Sequence, residues 1–435
     1  MTYKEIKTVR NKFDIIGRIY GVLVFMAGTG AIIPVIRQQS GNGYNNITTD
    51  SVMQNVWYVL YILTIIFVIY KWKKFVKIIF SNKLIWFIFG FATLSAIWSV
   101  STGITLRRCT ALFFTQIIGV YLYSEYKLEG VMDLLRWTSG ISIILCFIFS
   151  IFLPVYGVHH DGVFDGVWRG IYLHKNTLGL NMAIFTSLWM ITLLDSIKNK
   201  NKSILSFIFL ILALTLLIKS QSKTSLCVFI IILSSIPICL VIRKNLSLAL
   251  GIFFSFITFV GIFVYNGTSI INELIISMGK DVTLSGRTNI WMLVTEAIKA
   301  KPLLGYGYGA FWQGDIGPSE FISSLLDMPL DQAHNGYLNI TLELGVVGLV
   351  IFLLSLLQNI FNSMRLQLYA KGYLVIFPLT FMMFLLIFNM SESIILSQNS
   401  TSWIIYSTLS TYLSYESLQN KAEVNDENRI QLNSC

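Results

Sequence analysis

The chain has 435 residues, of which 55% are apolar and 12% charged, and carries a formal net charge of +10. Soluble globular domains carry about a quarter charged residues, so this composition excludes an ordinary soluble enzyme and predicts an all-α polytopic membrane protein. No basic stretch is interleaved with aromatics, so the positive balance is mainly topological and no nucleic-acid partner is expected.

Reading apolar runs against the roughly 20 residues needed to cross a bilayer gives about twelve spans in one integral membrane domain, 1–435. Their cores lie near 15–36, 52–70, 84–98, 107–124, 133–154, 177–196, 204–218, 224–242, 246–265, 337–357, 373–390 and 402–416. The first follows a basic start (Lys4, Lys7, Arg10, Lys12) but lacks a small-residue cleavage site, which predicts a retained anchor rather than a signal peptide. Cys109, Cys146, Cys227 and Cys239 fall in or beside apolar runs without C-x-x-C spacing, and Cys435 ends the chain without a prenylation box, so all five read as incidental.

Placing the amino terminus in the cytoplasm puts 19 Lys and Arg on that side and 11 on the other, with Arg18 and Arg136 inside spans. The positive-inside rule then predicts that both termini are cytoplasmic and that 417–435 is a short cytoplasmic tail. Outside lie two larger segments, 155–176 and 266–336. Six of the eleven outer cations (Arg169, Lys175, Lys280, Arg287, Lys299 and Lys301) sit in them. An anionic ligand on the outer face would account for that exception.

The first outer segment carries His159, His160, Asp161 and Asp165, then the run Arg169-Gly-Ile-Tyr-Leu-His174-Lys175-Asn176. In the second, Ser285-Gly286-Arg287 leads into 288–301, where Trp291, Val294 and Ile298 recur at helical spacing until Pro302. This predicts an amphipathic helix lying on the membrane surface. Next comes Leu304-Gly-Tyr-Gly-Tyr-Gly-Ala-Phe-Trp312, whose alternating glycines and rings fit either interfacial packing or stacking on a sugar. It lacks the lysine and spacing of a phosphate loop. Ala333-His334-Asn335-Gly-Tyr337 then opens the tenth span, which carries Glu343.

Together, Arg-Gly-x-x-x-His-Lys-Asn-x-Leu-Gly, Gly-Arg-x-x-x-Trp with a downstream Pro-Leu-Leu-Gly-x-Gly, and His-Asn-x-Tyr-Leu before Glu343-x-Gly345-x-x-Gly348 resemble the O-antigen ligase and polysaccharide polymerase superfamily. The resemblance is sharpest between 165 and 350. It implies an integral membrane glycosyltransferase of the bacterial cytoplasmic membrane, its active site facing the periplasm. The donor would be a polyprenyl (undecaprenyl) diphosphate-linked glycan, the acceptor a glycan or lipid-linked glycan, with membrane lipids around it and a chain-length regulator as a further partner. It also implies that Arg169 and Arg287 engage the donor diphosphate and that His334 is the catalytic base. The His174-Lys175-Asn176 form resembles exopolysaccharide and capsule polymerases more than ligases acting on lipid A core, and the ligase reading stays open beside it.

The residue types suit that chemistry. Arginine is always charged and grips phosphate oxygens in a bidentate fork, so it can hold a diphosphate leaving group without a metal. No D-x-D pair occurs in the outer segments, and we expect neither metal nor other cofactor. An imidazole of ordinary pKa, about 6.5, suits a base at neutral pH. His174 competes with His334 for that role, handicapped by the adjacent Lys175. Lys175, Asn176, Asn335 and Glu343 are, with His174, secondary candidates; Glu343, nine positions beyond His334, could orient it only through an intermediary. The bland alternatives are a snorkelling Arg169, a headgroup-facing Arg287 and an interfacial His334. A rival class, a lipid-linked oligosaccharide flippase, would concentrate charge inside the spans instead of in asymmetric outer loops.

Overall fold

Apolar runs too long to leave a bilayer and too rich in backbone polar groups to stay unpaired in it can only be helices. The computed structural model describes residues 3–31, 51–160, 162–243, 287–314, 317–327 and 330–433, with a few single positions between 247 and 258. In chain order the helices are α1 (Tyr3–Gly28), α2 (Ser51–Tyr70), α3 (Trp72–Ile79), α4 (Lys83–Leu94), α5 (Thr102–Phe152), α6 (Lys175–Ser196), α7 (Lys200–Lys219) and α8 (Lys223–Ile242). There follow α9 (Arg287–Ala300), α10 (Glu320–Leu326), α11 (Gly336–Tyr369), α12 (Ile376–Phe388) and α13 (Thr401–Asn433). The protein is an all-α polytopic membrane protein.

Among the described residues, six helices are each long and apolar enough to cross a bilayer, or seven if α3 and the 83–97 stretch, bent by 85°, count as one span. Much of the difference from about twelve has local causes. The expected ninth span, 246–265, falls almost wholly outside the described residues. α12 has only 13 residues. α5 has 51 residues, about 77 Å at 1.5 Å per residue, over twice the ~30 Å of a hydrocarbon core.

A non-helical Lys127 (φ 56°, ψ −175°) breaks α5, and its contacts show that the chain reverses there. Leu122 and Leu134 both flank Gly21 of α1, while the hydroxyl of Ser142 reaches Met26 near the other end of α1. The two halves are therefore the antiparallel spans that hydropathy predicts. At the Lys127 end, Lys71 and Lys74 pair with Glu125 at 2.9 and 3.2 Å, and Tyr373 donates its amide to Asp195 at 3.0 Å. The lysine-rich connectors thus gather at one end of the bundle, and the three sequence motifs at the other.

α13 lies along α5, the backbones brought close at Gly119, where a Cβ would stand 2.5 Å from that of Ser407. The main core joins the spans and buries Trp403, Tyr406, Tyr121 and Phe352. A second, smaller core forms where α9 meets the head of α11, with Ile290, Val294 and Ala297 packed against Phe311, Trp312, Ile322 and Leu342. The predicted amphipathic helix exists, but protein covers its apolar face. The Gly-aromatic run explains why: it crosses a break in α11 at Gly345 (φ 68°), with Val346 N donating to Pro302 O at 2.9 Å and Gly307 N to Glu343 O at 2.9 Å. Its rings pack inward, Tyr308, Phe311 and Trp312 all being buried.

Candidate active site

Four elements converge at the motif-bearing end. The 155–176 segment folds on itself through an antiparallel bridge between Val158 and Trp168, with His159 N bonded to Val167 O at 2.9 Å. That fold buries Arg169, whose Nε donates to Tyr156 O at 2.9 Å and Nη2 to Val155 O at 3.3 Å. His174 caps α6: its Nδ1 accepts from Asn176 N at 3.2 Å, and its ring meets that of His159 edge-on at 5.3 Å. Burial first, then the Lys175 ammonium, holds the His174 imidazole below its ordinary value, and the Arg169 charge adds to this. With Nδ1 occupied as an acceptor, His174 is suited to framing the site and poorly suited to taking a proton. Lys175 lays its ammonium over the Phe164 ring, 4.4 Å from its centre.

The centre of the site is a residue that none of the motifs contains. Glu392, in the connector between α12 and α13, takes Arg287 Nη2 at 2.8 Å and Asn176 Nδ2 at 3.2 Å on Oε1, and meets His334 Nδ1 at 3.3 Å on Oε2. Its carbonyl accepts from Gly336 N at 3.0 Å, while Ser393 Oγ accepts from Asn335 N at 3.2 Å. All three motifs are thereby joined through one carboxylate. Burial pushes the Glu392 carboxyl up, but the His334 hydrogen bond and the charges of Arg287 and His334 outweigh it and hold the carboxyl below its usual value. It is a standing anion at neutral pH.

His334 has a left-handed backbone (φ 48°), uncommon for a side chain with a Cβ. Neighbours hold it there. Asn335 caps α11, its Oδ1 accepting from Tyr337 N and Leu338 N at 3.0 and 3.1 Å. On the other side, Ala333 O accepts from Trp291 Nε1 at 3.1 Å and Ala333 N donates to Asn339 Oδ1 at 3.3 Å. Asn339 also receives Trp312 Nε1 at 2.8 Å and donates to Glu343 Oε1 at 3.2 Å. Glu343 thus touches His334 only at third hand, and Arg108 lies close enough to act on its charge. The sequence reading missed Glu392, Asn339 and Arg108. One signal was legible: apart from Glu343, Glu392 is the only acidic residue between 332 and 415, and hydropathy puts it in an outer connector.

Oε2 of Glu392 faces Nδ1, an arrangement that favours a neutral imidazole with its proton on Nδ1 and Nε2 as an acceptor; the side chain is 27% exposed. The site therefore combines an imidazole oriented by a carboxylate with fixed cations. Ser285, Gly286 and Asp161 lie outside the described residues. Among those described, no group of three or more His, Cys, Asp and Glu converges in a way that could hold a metal ion.

Residues 208–353 match the family model described as O-antigen ligase. That stretch is about a third of the chain, which is to that extent similar to the O-antigen ligases. Arg287, His334, Asn335 and Glu343 lie within the matched stretch, whereas Arg169, His174 to Asn176 and Glu392 lie outside it. The chain is also similar to the exopolysaccharide production protein ExoQ of Rhizobium meliloti, 24% identical over 294 residues, which is 63% of each chain. A provisionally named polysaccharide ligase of Rickettsia felis is 41% identical over 71 residues, 15% of this chain and 17% of that protein. Its counterpart in Rickettsia conorii is 42% identical over 71 residues, again 15% and 17%. The chain thus spans less than two thirds of the length of these relatives.

Proposed function

We propose that this protein is a glycosyltransferase that takes an oligosaccharide from a polyprenyl diphosphate carrier, at the outer face of the bacterial cytoplasmic membrane, and joins repeat units into a surface polysaccharide. The observation that carries the reading is the Arg287–Glu392–His334 cluster, a base oriented by a carboxylate beside a guanidinium. In this mechanism His334 Nε2 takes the proton of an acceptor hydroxyl as its oxygen attacks the anomeric carbon. The bond to the diphosphate oxygen breaks, and the polyprenyl diphosphate leaves with its charge held by Arg287 and Arg169. His334 then returns the proton to solvent.

One displacement inverts the anomeric configuration and needs no covalent sugar on the enzyme. Metal independence is part of the proposal, since guanidinium groups take the role a cation would have. Polymerisation is preferred to transfer onto lipid A core because the similarity to an exopolysaccharide production protein is far longer than that to the ligases. The test is transfer by the purified chain from a defined lipid donor, with product linkage read by NMR. We expect inversion, activity in EDTA and a loss of about 10²- to 10⁴-fold in His334→Ala. Net retention, or full activity of His334→Ala, would overturn it. Deleting the gene in its host should collapse the surface-glycan ladder to one repeat unit; long chains left on the lipid carrier would mean a ligase instead.

A further inference from the structure

Beside the charged cluster lies a cavity of about 440 Å³, within the ~300–1,000 Å³ range of small-molecule sites. It sits between the end of α1, the start of α2, the first turns of α6 and the 394–402 connector. Among the described residues, none that line it is ionisable. Gln54, Asn181, Gln398 and Asn399 bring four carboxamides to its wall, seryl and threonyl hydroxyls lie between them, and Trp57 adds an indole.

Most of these amides are tied into the protein at one end. Asn181 Nδ2 donates to Thr29 O and Thr177 O at 3.2 and 2.9 Å. Gln398 Oε1 accepts from Tyr308 Oη at 3.0 Å, and Asn399 Oδ1 accepts from Tyr61 Oη. Their other ends, and the whole Gln54 side chain, make no hydrogen bond among the described residues. The wall is also held in an unusual shape: Leu396 and Asn399 have left-handed backbones (φ 52° and 58°), and Asn399 N is fixed by Thr115 Oγ1 at 2.9 Å. Strain kept in place by buried hydroxyls beside a catalytic cluster calls for a functional reason.

The cavity shares two walls with that cluster. Thr177 follows Asn176, which bonds Glu392, and Ile394 lies two residues beyond Glu392. A diphosphate would want cations here, and an isoprenoid tail would leave the unbonded amide ends of the wall unpaired in hydrocarbon. Rigid, uncharged donors and acceptors with an aromatic face suit a sugar ring. Resting on the function proposed above, we infer that this cavity is a subsite for an uncharged sugar of the glycan substrates, with the sugar's reacting end at His334.

The test separates binding from turnover. Saturation-transfer NMR on the full chain in nanodiscs would use a lipid-free repeat-unit oligosaccharide hydrolysed from the strain's own surface polysaccharide. Gln54→Ala, which removes an unbonded, half-buried amide, should weaken binding about tenfold, the scale of one lost polar contact. Gln54→Trp should fill the cavity and abolish binding, while His334→Ala still binds. The KM of one substrate should rise in Gln54→Ala with kcat little changed: the donor's if the sugar is the donor's, the acceptor's if it is the acceptor's. Unchanged affinity in both Gln54 variants, or displacement of the oligosaccharide by a sugar-free polyprenyl phosphate, would overturn the subsite. Normal transfer by His334→Ala would instead sink the function and leave the binding result standing.

Discussion

Replacing Glu392 by Gln asks whether the carboxylate works through His334 or merely holds loops together. The amide oxygen can still accept from Arg287 Nη2 and Asn176 Nδ2, now at 2.8 and 3.2 Å, so the fold of the site should survive. The amide nitrogen would then face His334 Nδ1. It can only donate, which forces the imidazole proton onto Nε2 and removes the acceptor that the mechanism uses. An equivalent change in a serine protease triad costs about 10⁴ in rate. Here the His334–Glu392 contact is 3.3 Å, longer than the ~2.7–2.9 Å of a strong charge-assisted bond, so we expect a smaller fall in kcat, about 10²- to 10³-fold. Removing a negative charge beside Arg287 should meanwhile leave the donor KM unchanged or lower it. The assay is initial rate against donor concentration for wild type, E392Q, His334→Ala and the double variant. Residues acting as a unit are non-additive, so the double variant should be no slower than His334→Ala alone. Multiplied losses, or wild-type kcat in a folded E392Q, would refute the argument.

Arg287→Lys should stay impaired about 10²-fold or more in kcat/KM, because an ammonium keeps the charge but loses the fork; normal kinetics would remove Arg287 from donor binding. Because the Glu392 carboxyl is held below its ordinary value of 4.5, its pairing stabilises the fold fully above the unfolded-state value and loses that contribution as pH falls through the lower folded one. The Tm gap between wild type and Glu392→Ala should therefore shrink as the pH falls below about 4; a gap that held steady through that range would contradict it. Gly345→Ala places a Cβ 2.0 Å from Leu303 O at φ 68°, so it should cost about 1–3 kcal/mol from the backbone alone and lower the Tm of the purified protein, whereas an unchanged Tm would mean that the break in α11 is adaptable.

Hydropathy made the spans legible because every span must satisfy its backbone internally and so must be a helix. It even placed the two halves of α5 correctly, since the turn at Lys127 is marked by Lys127, Glu125 and Glu129 in an otherwise apolar run. Hydropathy could not distinguish lipid from protein as the cover of an apolar face. The 288–301 helix has the periodicity of a surface helix, yet Ile290, Val294 and Ala297 are covered by Phe311, Trp312 and Leu342, residues up to 52 positions away. The same blindness left the Gly-aromatic run undecided between sugar stacking and packing, and the break at Gly345 that receives it is a single glycine in an apolar sequence.

The site divides along similar lines. The motif residues His334, Arg287 and Asn176 were legible one by one, because each is a polar group that a membrane-facing sequence would otherwise avoid. What joins them was not, because a joining residue is defined by contacts across the fold: Glu392 lies 216 positions from Asn176, 105 from Arg287 and 58 from His334. Glu343 attracted notice as a carboxylate within a span, yet a helix carries nine residues about 13 Å along its axis, too far for contact with His334. A buried carboxylate must find partners within reach, and Glu343 found Asn339, one turn back on its own helix. Glu392, on a connector with no helix to supply partners, had to take them from three other segments. That requirement makes it the joint of the site, and it ties the orientation of His334 to the same carboxylate that Arg287 would share with an incoming diphosphate.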